Sequence, residues 1–214
     1  MRVEIRQGRH EDVDFLAWVM LSASRAHLAR GIWDLIIGGR EATCLDYLRR
    51  LAVAEPRSLC HCESFLVADV DGHPAAALSG YDMKAGGWAL VGEAMANVQR
   101  DLGWTDADAA ASRQRVGPVW ACFLPDIGAD WGIENVATSP GHRRQGLIKA
   151  LLSSALREAV GHRNKLVQII TYIGNDEACS AYQHSGFRVR DEKRCIGFEA
   201  LLGSPGFMRF VRDL

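Results

Sequence analysis

One strand–turn–helix segment, from Trp131 to Val160, constrains the fold of this chain more than any other stretch. Residues Trp131 to Thr138 predict a strand, and the turn sequence Ser139-Pro140-Gly141 follows. A helix is predicted from about Gln145 to Val160 because apolar residues recur there at helical spacing. This apolar face consists of Leu147, Ile148, Leu151, Leu152, Ala155, Leu156 and Ala159. A helix with one apolar face after a strand packs against a sheet, which indicates an α/β fold.

The turn before this helix, His142-Arg143-Arg144-Gln145-Gly146, suits an anion. Amides at a helix N-terminus point in one direction, and their partial positive charge favours a group such as a pyrophosphate. Arg143 and Arg144 add positive charge, and Gly146 has no Cβ to hold a phosphate away from the backbone. The turn has neither the Gly-Lys-Ser/Thr ending of a P-loop nor the three-glycine dinucleotide fingerprint. Taken alone, these residues also fit a helix start that only caps itself.

A β-hairpin is predicted earlier in the chain. Ser64 to Val70 leads into Asp71-Gly72, a dipeptide suited to a type I′ turn, and His73 to Tyr81 returns as the partner strand. A short first strand is predicted at Val3 to Arg6. The other predicted elements are helices at about 10–28, 41–54, 91–102, 105–115 and 175–185, and strands at about 165–173, 188–198 and 207–211.

The charge balance excludes some classes of partner. The 25 basic and 26 acidic residues among 214 give a formal net charge of −1, so the whole chain offers no broad basic surface for nucleic acid. The N-terminal stretch is charged every few residues and resembles no signal peptide, and no run of about 18 apolar residues predicts a membrane span. We therefore expect a cytoplasmic protein without nucleic-acid or membrane partners.

The six cysteines are expected to be reduced thiols, because a chain without an export signal has little use for a disulfide framework. Cys60-His61-Cys62 contains soft metal ligands, but a single residue between the cysteines does not match zinc-site spacing, and no second pair follows. No metal is predicted.

The segment Ile133 to Leu152 resembles the acyl-CoA-binding motif of the GNAT superfamily, which is built around Arg/Gln-x-x-Gly-x-Gly/Ala. Arg143 and Gly146 match its first and fourth positions, whereas Ile148 stands where the family usually has a small residue. A second resemblance begins at Asn175 and continues through Ala178 and Tyr182 to Gly186-Phe187. The resemblance covers most of the chain except about residues 82–130.

The resemblance implies a single domain over residues 1–214 with an α/β fold of the α+β type. Its sheet would be mixed and mostly antiparallel, with about seven strands flanked by helices. Residues 82–130 would be a helical insertion between strands three and four that contributes to the acceptor side. About forty residues with two helices cannot easily bury a separate core, which agrees with an insertion.

The resemblance further implies acetyl-CoA as the co-substrate. The backbone of Val136, Ala137 and Thr138 would pair with the pantetheine arm, and Asn175 would tie the following turn to it. The turn and the helix start would bind the pyrophosphate and adjoining parts of the cofactor through Arg143, Arg144, Gln145, Gly146, Leu147, Ile148 and Lys149. Tyr182 would lie close to the CoA sulfur.

Two residues are the predicted catalytic groups. Glu134 would act as the general base for an ammonium substrate, and Tyr182 would protonate the departing thiolate. Each has a structural alternative: Glu134 could pair with an arginine or only attract a cation, and Tyr182 could simply pack against the sheet.

The predicted reaction is transfer of acetyl from acetyl-CoA to a primary amine by direct attack, with a small-molecule amine as the acceptor. The alternatives are a non-catalytic acyl-CoA sensor and a protein or peptide N-acetyltransferase, and a homodimer is also left open. Candidate acceptor-side residues are Trp33, Trp88, Trp104, Trp120 and Trp131, with Asp106, Asp108, Asp126 and Asp130. These same residues also fit plain core packing or solvated loops.

Overall fold

The computed structural model describes residues 2–214, and these form seven β-strands and eight α-helices. The strands are β1 (Val3–Gln7), β2 (Phe65–Val70), β3 (His73–Asp82), β4 (Trp131–Thr138), β5 (Leu166–Tyr172), β6 (Arg188–Arg194) and β7 (Gly206–Asp213). The helices are α1 (Val13–Arg25), α2 (Ile32–Ile37), α3 (Glu41–Leu51), α4 (Gly87–Asp101), α5 (Asp106–Cys122), α6 (Leu147–Gly161), α7 (Asp176–His184) and α8 (Ile196–Leu202). No helix in this described part is long and apolar enough to cross a membrane.

All seven strands belong to one sheet in the order β1-β2-β3-β4-β5-β7-β6. Every neighbouring pair is antiparallel except β4 and β5, which are parallel. The β2–β3 hairpin turns at Asp71 (φ 52°) and Gly72 (φ 89°), the positive angles that a type I′ turn requires. The prediction of a mixed, mostly antiparallel sheet of about seven strands is confirmed.

Helices cover both faces of the sheet. The first face packs against α1 to α5 and α8, with α1 lying on β3 and β4. The second face packs against α6, which lies on β2, β3 and β4, and against α7. Side chains alternate between the faces along a strand. On β4, Trp131 and Ile133, which lie two residues apart, both join the core of the second face.

A buried ion-pair cluster fixes the start of the chain. The Arg6 guanidinium donates to both Asp12 carboxylate oxygens at 2.7 and 2.8 Å and to Asp69 at 3.2 Å. Asp12 is only 3% exposed and also accepts from the Arg9 amide at 2.9 Å. Burial raises the pKa of Asp12, but the Arg6 hydrogen bonds and the Arg9 amide outweigh it and hold the pKa below its usual value. The cluster thus joins β1, β2 and the N-terminal end of α1.

The insertion is more helical than its sequence predicts. Helix α5 continues seven residues beyond the predicted end at 115, passing through Pro118. Val116, Val119 and Cys122 are buried at helical spacing, so packing outweighs the hydrogen bond that proline removes. The Ser112 hydroxyl donates to the Ile36 carbonyl at 2.6 Å at the C-terminal end of α2. Buried residues of α4 and α5 therefore join the core of the first face.

The predicted strand at 188–198 is partly wrong. Strand β6 ends at Arg194, and α8 begins at Ile196. Phe198 and Leu202 lie one helical turn apart and are both buried, which favours a helix over an extended edge. The helix ends at Gly203, whose φ of 83° is the left-handed conformation common at helix C-termini.

Candidate active site

The parallel strands β4 and β5 pair over only three residues. Their register runs from Trp131 opposite Val167 to Ile133 opposite Ile169 and stops there. Strand β4 stays paired with β3 as far as Thr138. The edge of β4 from Glu134 to Thr138 therefore has no strand partner on the β5 side, and its backbone groups are available to a ligand.

A β-bulge lies where the two strands part. Ser79 of β3 pairs with Glu134, but Ala77 pairs with Ala137, so β4 contains one extra residue. Asn135 has a φ of 54°, and its side-chain amide donates to the Ser79 hydroxyl at 3.0 Å. An extra residue bends the strand that contains it. We infer that the bulge directs β4 away from β5 and opens the sheet.

A cavity of about 1260 Å³ occupies this opening and is lined from both faces of the sheet. On the second face it is lined by the turn before α6 and by α7. On the first face it is lined by α1, α2, α4 and the segment after α5. The open edge of β4 runs along it, including Glu134, Val136, Ala137 and Thr138. The cavity is therefore a passage through the sheet.

The second-face end of the cavity is positively charged. Helix α6 makes its first hydrogen bond from the Ala150 amide to the Gly146 carbonyl at 3.1 Å, so its earlier amides have no helical acceptor. Arg143, Arg144 and Lys149 are exposed and line the cavity beside these amides. This arrangement suits an anion of more than one charge.

Two residues of the turn have positive φ angles, 61° at Arg144 and 77° at Gly146. No protein atom lies within 4 Å of where a Gly146 Cβ would be, so the backbone angle is what favours glycine there within the protein. Leu147 and Ile148 pack into the second core and also line the cavity. Gln145 does not line it, because its amide turns back to the Gly141 carbonyl at 3.3 Å. Cofactor binding by these residues remains a prediction.

Glu134 is the first residue of β4 beyond the last pair with β5. Since Ile133 points into the second core, Glu134 points towards the first face, where it lines the cavity. Burial alone raises the pKa of Glu134 to about 8, and within residues 2–214 no cationic side chain offsets it. In the described part of the chain, Glu134 forms no ion pair with an arginine, which was its structural alternative.

Tyr182 reaches the cavity from α7 and is 5% exposed. Its ring packs edge-on against Phe210 at 5.6 Å and lies 6.4 Å from Phe187. Burial, and next the charge of nearby Glu134, raises the pKa of the Tyr182 hydroxyl well above its usual value, so it stays protonated. In the described residues no group is hydrogen-bonded to this hydroxyl. Tyr182 is thus packed against the sheet and lines the cavity with its hydroxyl protonated, and its role as a proton donor remains a prediction.

Asn175 lies between β5 and α7 and lines the cavity. Its side-chain amide donates to the Thr171 hydroxyl at 3.0 Å instead of capping α7. The bond holds the end of β5 to the start of α7, beside Tyr182 on the same helix. Its binding to a pantetheine arm remains a prediction.

The first-face end of the cavity is aromatic. Trp33 and Trp88 line it as expected, whereas Trp104 packs on Tyr47, Trp120 on Phe123, and Trp131 on His162. Four further aromatic residues line it that sequence reasoning missed: Trp18, Phe123, Tyr172 and Phe207. The signal available for Tyr172 was its place at the end of β5, directly before the Gly174-Asn175 turn. No local sequence pattern indicates that Trp18, Phe123 or Phe207 lines the cavity.

The acidic residues proposed for the acceptor side lie elsewhere. Asp108 accepts from Thr105 in a capping box at the start of α5, and Asp126 accepts from the Gly128 amide. Asp130 pairs with Lys84 at 2.5 Å, and Asp106 is an exposed first-turn acid. None of the four lines the cavity. Across residues 2–214, no three His, Cys, Asp or Glu side chains are grouped to hold a metal ion.

Solved structures of other proteins have a similar fold. The fold is similar to that of a crystal structure described as an acetyltransferase, at 16% identity, covering 96% of this chain and 97% of that chain with a TM-score of 0.67. It is also similar to an N-acetyltransferase from Staphylococcus aureus Mu50, at 17% identity, 98% and 100% coverage and a TM-score of 0.64. A third similar structure is yncA from Salmonella typhimurium with its cofactor acetyl-CoA, at 15% identity, 99% and 94% coverage and a TM-score of 0.54.

No curated protein sequence matches the chain. The model of the acetyltransferase (GNAT) family matches residues 40–187, which is more than half of the chain and includes the open edge of β4, the turn before α6 and Tyr182. The chain therefore belongs to the GNAT acetyltransferase family, which uses acetyl-CoA as its co-substrate.

Proposed function

We propose that this chain transfers the acetyl group of acetyl-CoA to the primary amine of a small molecule by direct attack. The observation that carries the proposal is the passage through the sheet, lined by basic residues at one end and by Glu134 and aromatic rings at the other. Two substrates that enter from opposite faces would meet at the opening between β4 and β5. Holding them together makes the transfer effectively unimolecular.

The second-face end fits acetyl-CoA. The free amides at the start of α6, with Arg143 and Arg144, would hold the pyrophosphate. The unpaired backbone of β4 at Val136 to Thr138 would take the pantetheine arm as an added strand. Asn175 and Tyr182 line the cavity beyond that edge. These assignments follow from the chemistry of the groups that line the cavity.

The proton transfers are assigned to Glu134 and Tyr182. An amine arrives largely as an ammonium ion, and it must lose a proton before its nitrogen can attack the acetyl carbonyl. Glu134 can accept that proton directly or through water in its carboxylate form, whose share increases as pH rises through its pKa of about 8. As the new C–N bond forms and the C–S bond breaks, the Tyr182 hydroxyl supplies a proton to the thiolate, and the second proton that the attacking nitrogen loses restores the Tyr182 hydroxyl.

The residues that line the first-face end favour a small molecule over a protein chain. Trp88 and Phe123, both from residues 82–130, line the cavity opposite the end of β5. A protein acceptor would need a groove open at both ends to pass a polypeptide. An insertion that covers the acceptor side leaves space for a compact amine instead.

An acceptor screen tests the proposal by following release of free CoA thiol from acetyl-CoA with a panel of primary amines. Turnover that depends on the amine, with the acetylated amine found by mass spectrometry, is expected. The matched variants are Glu134→Gln and Tyr182→Phe, which should both lose turnover. A protein that acetyl-CoA stabilises against heat but that turns over no amine would instead be a sensor.

A further inference from the structure

The charges lining the cavity are unevenly distributed. Among the described residues, those that line the second-face end include His142, Arg143, Arg144, Lys149, Glu177 and His184, all from the turn before α6, its first turn, or α7. At the first-face end, the lining within residues 2–214 contains one carboxylate, Glu134, and no cationic side chain. One positive charge on an acceptor can therefore pair with Glu134 near the opening. A second, more distant charge has no carboxylate partner among the described residues that line this end.

A row of aromatic rings forms the wall beyond Glu134. Trp88 meets Phe123 edge-on with ring centroids 6.2 Å apart, and Phe123 lies 5.0 Å from Phe207. Phe207 in turn lies 5.4 Å from Tyr172. These rings come from α4, the segment after α5, β7 and β5, so the row is contributed by four separate parts of the fold.

The row is held in position by its surroundings. The Tyr172 hydroxyl donates to the Ser24 carbonyl at 2.7 Å, which ties β5 to α1. Phe207 is 4% exposed and also packs edge-on against Phe198 of α8 at 4.8 Å. Trp18 and Trp33, from α1 and α2, line the same part of the cavity. The acceptor end is thus a preformed apolar surface rather than a flexible one.

We propose that the acceptor is a monoamine with a flat, apolar aromatic body, of the arylalkylamine class, whose ammonium group lies at Glu134 and whose ring packs on this row. The inference rests on the proposed function, because it places the amine at the group that accepts its proton. Packing a ring here removes apolar area from water, which stabilises the complex. Offset or edge-on contacts between the ring and the row stabilise it further.

A diamine or polyamine fits this end poorly. Its distal ammonium would leave water without a carboxylate partner, which is unfavourable because no opposite charge replaces its hydration. A cation–π contact with Trp88 or Trp33 compensates for only part of that loss. The balance therefore favours an acceptor with one charge.

Substrate preference provides the first test. The ratio kcat/KM is measured by CoA thiol release for 2-phenylethylamine, tryptamine, n-propylamine, agmatine and spermidine at one pH. The aryl monoamines are expected to exceed n-propylamine, agmatine and spermidine by about ten-fold or more. Agmatine or spermidine equal to or better than the aryl amines would overturn the inference while leaving the proposed function intact.

A variant pair tests the aromatic row itself. Trp88→Leu should lower kcat/KM for 2-phenylethylamine about ten-fold more than it lowers kcat/KM for n-propylamine. The matched control is Trp104→Leu, in the same insertion but packed on Tyr47 away from the cavity, which should leave the ratio of the two substrates unchanged. An equal loss on both substrates in Trp88→Leu would mean that Trp88 only supports the fold, and would contradict the inference.

If no amine is acetylated, the proposed function is wrong, and amine binding then tests the aromatic acceptor site separately. The melting temperature of the CoA-saturated protein is then measured with 2-phenylethylamine and with spermidine, because a ligand that binds the folded state raises it. A rise with 2-phenylethylamine that Trp88→Leu abolishes supports the aromatic acceptor site. A rise with spermidine alone, or with neither amine, overturns it.

Discussion

Ile133 and Ile169 form the last backbone pair between β4 and β5, and Glu134 is the next residue along β4. The end of this pairing sets both the position of the opening and the position of Glu134, the one carboxylate among the described residues that line the acceptor end. A bulge at Asn135, which has a φ of 54°, follows immediately, and such an extra residue bends the strand that contains it. Sheet geometry alone therefore places a partly buried acid at the opening between the two strands.

Replacing Glu134 with Gln should lower kcat by about a hundred-fold or more, because general-base catalysis contributes about 10²–10⁴. The active form is the carboxylate, so activity should rise as pH increases through about 8, the pKa of Glu134. The ionisation of the amine affects both proteins equally. The ratio of wild-type to Glu134→Gln kcat/KM, measured from pH 6 to 10, should therefore rise through about 8. A ratio that does not change with pH would exclude Glu134 as the base.

Replacing Tyr182 with Phe should lower kcat by about ten-fold or more while leaving the melting temperature within a few degrees. The ring contacts with Phe210 and Phe187 remain in this variant, and only the hydroxyl is lost. The loss should shrink for a thioester whose thiol has a lower pKa, because such a leaving group needs less protonation. Comparing acetyl-CoA with an acetyl thioester of a more acidic CoA analogue measures this, and an unchanged loss would favour a packing role.

Replacing Arg144 with Ala should raise KM for acetyl-CoA by about ten-fold with little effect on KM for the amine, since one charge-assisted phosphate contact contributes about 1.5–3 kcal/mol. The control is Arg157→Ala, on the exposed face of α6 beyond the cavity, which should leave both constants unchanged. Initial rates over a range of acetyl-CoA concentrations provide the comparison. Equal effects of the two variants would indicate a non-specific charge effect instead of a site.

Local patterns predicted the parts of the fold whose periodicity is visible within one segment. Strand β4 begins and ends where the sequence predicts, and α6 begins two residues later than predicted because Gly146 has a left-handed backbone. Helix α2 was missed because IWDLII contains almost no polar face, so its spacing does not distinguish a helix from a buried strand. Its packing against α1, α3 and α5 favours the helix over a buried strand.

The candidate site was predictable to the same extent. Glu134, Tyr182 and the turn before α6 lie in two segments with recognisable sequence, and all of these residues except Gln145 line the cavity. The aromatic row was not predictable, because Trp88, Phe123, Phe207 and Tyr172 are brought together only by the order of strands and the docking of the insertion. Nothing in the spacing of these residues along the chain indicates that they share a surface.

The Arg6–Asp12 pair should contribute strongly to stability. Asp12→Asn is expected to lower the free energy of unfolding by about 3 kcal/mol at pH 7, because it leaves a largely buried guanidinium with weaker partners. The pKa of Asp12 is depressed in the folded state, so this contribution is present above the unfolded pKa of about 3.9 and is lost as pH falls through the folded value. The difference between variant and wild type should therefore narrow below about pH 4.

Urea unfolding at pH 7 and at pH 3 measures that difference. Asp14→Asn is the matched control, since Asp14 is 81% exposed in its pair with Arg49 and should change the free energy by less than about 1 kcal/mol. An Asp12→Asn effect no larger than this control, or one that persists undiminished at low pH, would show that the buried pair is not what stabilises this end of the chain.

The most direct test of the central claim is a single-turnover experiment with acetyl-labelled acetyl-CoA, excess protein and an amine that the acceptor screen identifies. After acid quenching at successive times, direct transfer across the opening predicts that the label passes from CoA to the amine nitrogen and never to the protein. The rate of this step should fall in Glu134→Gln. Label accumulating on the protein before it reaches the amine, or CoA-bound label that never transfers to any amine, would contradict the account.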